Sequence, residues 1–123
     1  MSACEEELVR ARAFSYYPQL GRVLNYCAGN YQCGITLEKA AAVAGLERTY
    51  FSSFFRSKVG VCFSCWFGLF RIEIAKQLIR ERDFAIALVA HHVGYQTLGT
   101  FERAFKRHTG MTPSQYKDHV RPC

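Results

Sequence analysis

Five polar side chains recur at helical spacing in one segment of the chain and would lie on one helix face: Arg48, Thr49, Ser52, Ser53 and Arg56. The aromatic residues at 51, 54 and 55 would occupy the opposite, apolar face. A guanidinium such as that of Arg48 can donate two hydrogen bonds to guanine, and hydroxyl groups can donate to several bases. Arg56 and Lys58, further along, suit phosphate groups. This face offers the chemistry of nucleic-acid recognition, with an ordinary solvated helix face as the alternative.

A second segment has the same aromatic spacing but fewer polar groups. Its candidate DNA-contacting residues are Thr97, Leu98, Gly99, Thr100, Glu102 and Arg103, followed by Lys106 and Arg107 for backbone phosphates. Leu98 and Gly99 supply no side-chain donor, and glycine inside a helix costs about 1 kcal/mol relative to alanine. Leu98 could contact a thymine methyl group or could pack inside the protein. We therefore expect poorer base reading from this segment.

Both segments belong to a repeat with a period of about 50 residues. Six identities fall in the same order in the two copies, pairing residues 41, 45, 51, 55, 60 and 64 with 90, 94, 101, 105, 110 and 114. The offset is 49 up to Gly94 and 50 after it, so the extra residue lies in a turn. Each copy reads as a helix ending near glycine, a turn, and a second helix ended by another glycine. This is the pattern of a helix-turn-helix unit.

The hydrophobic spacing predicts an all-α fold of about seven helices, in which two helix-turn-helix subdomains are joined by a long linker helix. The predicted helices are 18–30, 37–44, 48–59, 63–82, 86–93, 97–109 and one opened by Thr112 and Pro113. The predicted organisation is an N-terminal tail (1–17), a first subdomain (18–61), the linker helix (62–82) and a second subdomain (83–123). Leu69, Ile72 and Ile79 are expected to be buried on the linker helix.

Three helix starts depart from the usual capping residues. Glu47 and Ala85 stand where Ser, Thr or Asp is common, and Phe63 stands where the second copy has Pro113. We expect these residues to weaken the local helix starts without changing the fold.

The net charge of +6 is unevenly distributed along the 123 residues. Residues 1–33 carry three arginines and three glutamates, so the whole excess lies in residues 34–123, with 13 basic and 7 acidic side chains. A basic surface that coincides with the repeat favours a polyanionic partner over a merely solvated face. His91 and His92 could contact phosphate when protonated, although exposed surface histidines are the simpler interpretation.

The sequence also excludes several classes. The longest uncharged apolar stretch, residues 59–70, is shorter than the roughly 20 residues a membrane helix needs. The N-terminus is acidic and lacks the basic and apolar regions of a secretory signal. We therefore predict a cytoplasmic protein that makes no membrane contact. No arrangement of nucleophile, base and acid and no phosphate-binding loop is visible, so we expect no catalytic residues and no enzyme activity.

The six cysteines are Cys4, Cys27, Cys33, Cys62, Cys65 and Cys123. One C-x-x-C pair supplies half of a structural zinc site, so neither a metal nor a cofactor is expected. Most of these thiols should be reduced and should pack as small apolar groups. Cys62 aligns with the helix cap Thr112, and a helix N-terminus favours the reactive thiolate. A thiol-switched regulator using Cys62 and Cys65 therefore stays open.

The second copy resembles the DNA-binding domain of AraC/XylS-type transcription regulators. The resemblance runs over residues 18–117 and rests on Val89, Ala90, Gly94, Tyr95, Phe101, the run 103–106, Gly110, Pro113 and Tyr116. It implies two helix-turn-helix units on a rigid linker helix, with both recognition helices in successive major grooves. It also implies activation by recruitment of RNA polymerase more often than repression. The polar residues of the first segment match the family's base-facing positions.

The geometry of DNA also favours two recognition helices held apart by a long linker helix. Successive major grooves on one face of the duplex recur after about 34 Å, and a linker helix of twenty residues is about 30 Å long. One chain could thus bind as a monomer to an asymmetric site. We predict a sequence-specific regulator that binds double-stranded DNA, with an architectural binder lacking promoter preference as the alternative. Seventeen residues precede the first predicted helix, which indicates a short stand-alone regulator, favoured by Met1, or the output domain of a longer one.

Overall fold

The computed structural model describes residues 11–121, and all regular secondary structure in that part of the chain is helical. The helices are α1 (Arg12–Tyr16), α2 (Pro18–Asn30), α3 (Leu37–Ala44), α4 (Arg48–Val59), α5 (Phe63–Glu81), α6 (Ile86–His92), α7 (Leu98–Thr109) and α8 (Pro113–Val120). The all-α prediction is confirmed, with two helix-turn-helix units, α3–α4 and α6–α7. The linker helix and α6 each end one residue earlier than predicted.

Helix α1 lies in the segment that was predicted to be a tail. Its Ala13 and Phe14 are buried, and the Phe14 ring stacks on Trp66 with 5.0 Å between ring centroids. Phe14 also meets the edge of Phe55 at 6.0 Å. Residues 12–16 are therefore part of the first core, because burying an aromatic ring stabilises a helix too short to persist alone.

The chain divides into two compact units between Phe67 and Gly68, inside α5. We call the described residues up to Phe67 the first lobe and those from Gly68 onward the second lobe. The sequence had placed the subdomain boundaries at the two ends of the linker helix. In the structure, Phe63 and Trp66 of α5 pack in the first lobe, so the helix contributes to the first core directly.

Aromatic rings fill much of the core of the first lobe. Phe51 and Phe55 of α4 are fully buried, and Phe55 meets Phe63 at 5.5 Å and Trp66 at 5.8 Å, both edge to face. Phe63 is 3% exposed, so an aromatic core residue opens α5 where the second copy has proline. Leu20 and Val23 of α2 and the alanines of α3 complete this core.

Aliphatic residues contribute more to the core of the second lobe. Leu69, Ile72 and Ile79 of α5 are buried, as predicted. They share the core with Val89 and Val93 near α6, and with Phe101 and Phe105 of α7. Phe105 meets Tyr116 of α8 at 5.5 Å, the counterpart of the contact between Phe55 and Trp66. The two copies thus repeat the same aromatic contact at equivalent positions.

Four glycines of the repeat share one backbone conformation. Gly45, Gly60, Gly94 and Gly110 have φ angles of 75°, 105°, 96° and 82°, and they are the glycines that the two copies pair. Residues other than glycine rarely adopt such backbone angles, so glycine is required where each helix ends. These glycines fix the lengths of α3, α4 and α7 and thereby set where each predicted recognition helix stops.

Candidate nucleic-acid interface

Helix α4 turns its polar side chains to solvent because its aromatic face is buried. Phe51, Phe55 and Val59 lie in the core, four residues apart. Of the predicted contact residues, Arg48, Thr49, Ser53 and Arg56 are exposed, and Ser52 is half-buried. The structure therefore places all five on the accessible part of α4, in one continuous helix.

Arg48 has a partner within the first lobe. Its Nε lies 2.9 Å from Oε1 of Glu38 on α3, and both side chains are more than 60% exposed. An ion pair this accessible contributes at most about 1 kcal/mol. The pair orients the guanidinium at the start of α4, and breaking it would cost little free energy.

The expectation that Glu47 is a weak helix start was wrong. Its carboxylate accepts hydrogen bonds from the backbone N–H of Thr49 at 2.9 Å and of Tyr50 at 3.1 Å. These backbone donors lower the pKa of Glu47 below its ordinary value. A carboxylate can cap a helix as a hydroxyl does, and its negative charge also interacts favourably with the positive end of the helix dipole. Ala85, by contrast, gives α6 no side-chain cap, as expected.

Arg22 supports the first unit in a way that the sequence did not indicate. From α2, its Nη2 donates to the Ala44 carbonyl at 2.7 Å and its Nε donates to the Val43 carbonyl at 3.3 Å. These are carbonyls of the last turn of α3, which lack partners within the helix. Arg22 therefore fixes the end of α3 just before the turn to α4. The contact depends on tertiary structure, and sequence spacing gives no signal for it.

Helix α7 exposes a different set of side chains. Thr97, Leu98, Arg103, Lys106 and Arg107 are exposed, while Gly99 and Glu102 are half-buried. Leu98 is 41% exposed at the first position of the helix, so of its two predicted roles it is available for a methyl contact rather than packed. The opposite face of α7 carries the buried Phe101 and Phe105.

Hydrogen bonds connect three of these side chains along α7. The hydroxyl of Thr97 accepts from the backbone N–H of Thr100 at 3.2 Å and caps the helix. The two threonine hydroxyls share a hydrogen bond of 2.8 Å, and Nη2 of Arg103 donates to the Thr100 hydroxyl at 3.4 Å. A Cβ atom on Gly99 would lie 3.6 Å from Nη1 of Arg103. The Arg103 guanidinium thus lies back toward the start of the helix, beside Gly99 and Thr100.

Two contacts join α5 to residues in or next to α7. The Arg71 guanidinium of α5 lies over the Tyr95 ring, 5.5 Å from its centroid. Burial raises the pKa of Tyr95, opposed by the positive charges of Arg71 and Arg107. His108 approaches α5 closely, since a Cβ on Gly68 would lie 3.6 Å from its Nε2. Burial, and secondly Arg107, lowers the pKa of His108.

The cysteines and histidines of the described residues differ in their exposure. Cys27 is buried, Cys62 is half-buried, and Cys33 and Cys65 are exposed, while Cys4 and Cys123 lie outside the described residues. Within residues 11–121, no group of three or more His, Cys, Asp or Glu side chains is arranged to hold a metal ion. His91 and His92 are exposed. None of the helices in that range is long and apolar enough to span a bilayer.

The repeated units match known proteins. A family model described as a helix-turn-helix domain matches residues 40–119. The structure of a transcriptional regulator from Chromobacterium violaceum with an AraC-type DNA-binding domain superposes with a TM-score of 0.80, covering 89% of this chain and 98% of that one at 18% identity. This chain belongs to the AraC family of helix-turn-helix transcription regulators.

A curated relative is the RCS-specific HTH-type transcriptional activator RclR of Escherichia coli K12. It is 30% identical over 105 residues, which cover 85% of this chain and 37% of RclR. The chain thus spans less than two fifths of the length of this relative. A second solved structure is the DNA-binding domain of AdpA in complex with a target DNA, with a TM-score of 0.76, 25% identity, and coverage of 83% of this chain and 95% of that one. The chain carries the AraC-type helix-turn-helix DNA-binding domain of this family.

Proposed function

We propose that this AraC-family chain binds one asymmetric double-stranded DNA site as a monomer, with α4 and α7 in successive major grooves, and thereby activates transcription. The observation that carries the proposal is the doubled unit itself. Each copy buries a phenylalanine pair four residues apart and exposes the other side of the same helix. A major groove admits one such helix, and its exposed side chains then meet base edges.

The proposed base contacts differ between the helices. On α4, Arg48 is the proposed guanine reader, and Thr49, Ser52 and Ser53 donate through their hydroxyls. On α7, Arg103 takes the corresponding role. Its support is the hydrogen bond of 3.4 Å to the Thr100 hydroxyl, which places the guanidinium on the exposed face near the start of α7.

Cationic side chains beyond these readers are proposed to bind phosphates. Arg56 in α4 and Lys106 and Arg107 in α7 lie in the last turns of their helices and are exposed. Contacts of this kind fix register and orientation without reading sequence. The proposal includes activation because the relative RclR is named an activator. It includes contact with RNA polymerase because the family resemblance implies it.

Selection of binding sites from random duplexes tests the proposal directly. We expect one asymmetric motif spanning about two helical turns, because two different helices reach grooves one turn apart. Affinity should be measured on the selected duplex, on a scrambled duplex and on a duplex with both halves inverted. Recovery of a palindromic motif would contradict the monomeric mode. Equal affinity for all three duplexes would indicate an architectural binder instead.

A further inference from the structure

A groove on the second lobe takes no part in the proposed DNA contacts. It has a volume of about 370 Å³ and is lined by Leu78, Arg82, Phe84, Leu88, His91 and His92. We call it the Leu88 groove. Its walls come from the end of α5, the connection after α5, and α6. Helix α7 contributes none of these residues, so the groove is separate from the predicted recognition face.

The Leu88 groove combines an apolar floor with a polar rim that carries the Arg82 guanidinium. Leu78 and Phe84 are half-buried, and Leu88 is 51% exposed. In the described part of the second lobe, the other large exposed apolar side chain is Leu98, which lies at the start of α7. Leu98 has a possible partner in a thymine methyl group, whereas the proposed DNA contacts do not involve Leu88. Exposed apolar side chains that cluster in a groove indicate a binding surface.

The rim of the groove carries one permanent positive charge, that of Arg82. Arg82, His91 and His92 are exposed at its rim, and no carboxylate lines it. Glu81 and Asp83 flank Arg82 in sequence, and the Asp83 carboxylate lies 3.3 Å from Nζ of Lys117. Helix α6 itself contains no acidic residue. An occupant that carries carboxylates beside apolar groups would complement both parts of the groove.

We propose that the Leu88 groove docks an acidic amphipathic helix of a protein partner. An amphipathic helix lays its apolar face into a groove between helices, and acidic residues flanking that face would meet the Arg82 guanidinium and the imidazole N–H of His91. A DNA backbone satisfies Arg82 but leaves Phe84 and Leu88 without an apolar partner. The inference is independent of which bases α4 and α7 read.

A synthetic helical peptide of about fifteen residues tests this assignment, since shorter isolated helices are marginal in water. The probe carries leucines along one face and glutamates elsewhere, and its partner peptide has glutamine in place of every glutamate. Both are titrated into the full chain labelled with ¹⁵N, and affinity is measured by fluorescence anisotropy. We expect amide shifts centred on residues 78–92 with the acidic peptide, and binding about tenfold weaker for the glutamine peptide.

Two variants and two matched controls locate the site. Leu88→Ser and Arg82→Glu should each weaken binding of the acidic peptide about tenfold. Leu98→Ser makes the same chemical change at another exposed leucine, and Arg12→Glu makes the same charge reversal at an exposed arginine of the first lobe. Both control variants should leave peptide binding unchanged. Because Leu88 and Arg82 are exposed, circular dichroism should show both variants folded.

Several outcomes would overturn the assignment. Equal binding of the acidic and glutamine peptides would remove the charge argument, and equal loss in the control variants would remove the location. Absence of binding at millimolar peptide would refute docking. Amide shifts in residues 78–92 on addition of the selected DNA, with none on addition of peptide, would assign the groove to the DNA interface instead.

Discussion

The two recognition helices are built on the same buried pattern but present their donors at different places. Helix α4 begins with Arg48, whose guanidinium pairs with Glu38 at the very start of the helix. Helix α7 begins with Leu98, and its first guanidinium comes more than a turn later, at Arg103. Buried phenylalanines and terminal glycines fix the backbone of each unit, so the exposed face can change without affecting the fold. Under the proposed function, one repeated unit would thereby read two different half-sites.

The cores of the lobes differ in a parallel way. In the first lobe, Phe55 contacts the rings of Phe14, Phe51, Phe63 and Trp66. In the second lobe, the equivalent Phe105 contacts the rings of Phe101 and Tyr116. Helix α1 supplies the additional ring of Phe14 to the first core. The comparison predicts that the first lobe depends more heavily on its central phenylalanine.

The largest effects should come from removing those central rings. Phe55→Ala and Phe105→Ala are each expected to cost about 3–5 kcal/mol of unfolding free energy, with Phe55→Ala at the upper end. Urea unfolding followed by circular dichroism measures both, and the fluorescence of Trp66, the chain's single tryptophan, reports on the first lobe. Tyr50→Ala at an exposed position is the control, with a change below about 0.5 kcal/mol. A larger loss for Phe105→Ala would reverse the comparison.

The next largest effect concerns α5, which belongs to both lobes. Lys76→Pro removes a backbone donor and should break the helix at a cost of about 3 kcal/mol or more. Affinity for the complete DNA site should then fall toward that of a single half-site, because the two recognition helices no longer share a fixed support. Lys76→Ala keeps the helix and loses the ion pair with Glu73 at 3.2 Å, so it should bind normally. A folded Lys76→Pro protein with parental affinity would refute a rigid linker.

Substitutions of the proposed base-reading arginines on α4 and α7 should weaken binding at different half-sites of the DNA. Arg48→Ala and Arg103→Ala are each expected to cost about 1–3 kcal/mol at one base pair, in different half-sites. A panel of single base-pair variants measures this, and discrimination should be weaker overall in the half-site of α7. Lys106→Ala and Arg107→Ala serve as controls that weaken all sequences alike and flatten the salt dependence by about one phosphate each. Equal discrimination in both half-sites would contradict the difference between α4 and α7.

Local signals predicted the repeat and nearly every helix boundary. Paired phenylalanines report a buried face and glycines report helix ends, and both act within a few residues. Helix α1 was missed because Phe14 is held by Trp66, far along the chain. The contact of Arg22 with the end of α3 and the position of Arg103 over Gly99 depend on tertiary structure or on side-chain rotamers. The prediction of a weak helix start at Glu47 was wrong because it relied on how often glutamate occurs at helix caps. The Glu47 carboxylate nevertheless accepts two backbone hydrogen bonds.

The smallest predicted effect distinguishes the two caps by their response to acid. Glu47 and Thr97 are equivalent in the repeat, and each accepts a backbone N–H at the start of its recognition helix. Because backbone donors lower the pKa of Glu47 in the folded state, its contribution is complete above the unfolded pKa and is lost as pH falls through the folded value. The stability difference between the parent and Glu47→Ala should therefore shrink below about pH 4. Thr97→Ala should cost about 1 kcal/mol at every pH, since a hydroxyl does not titrate there. Urea unfolding at neutral pH and at about pH 3 compares the two, and a pH-independent cost for Glu47→Ala would mean that its carboxylate does not cap α4.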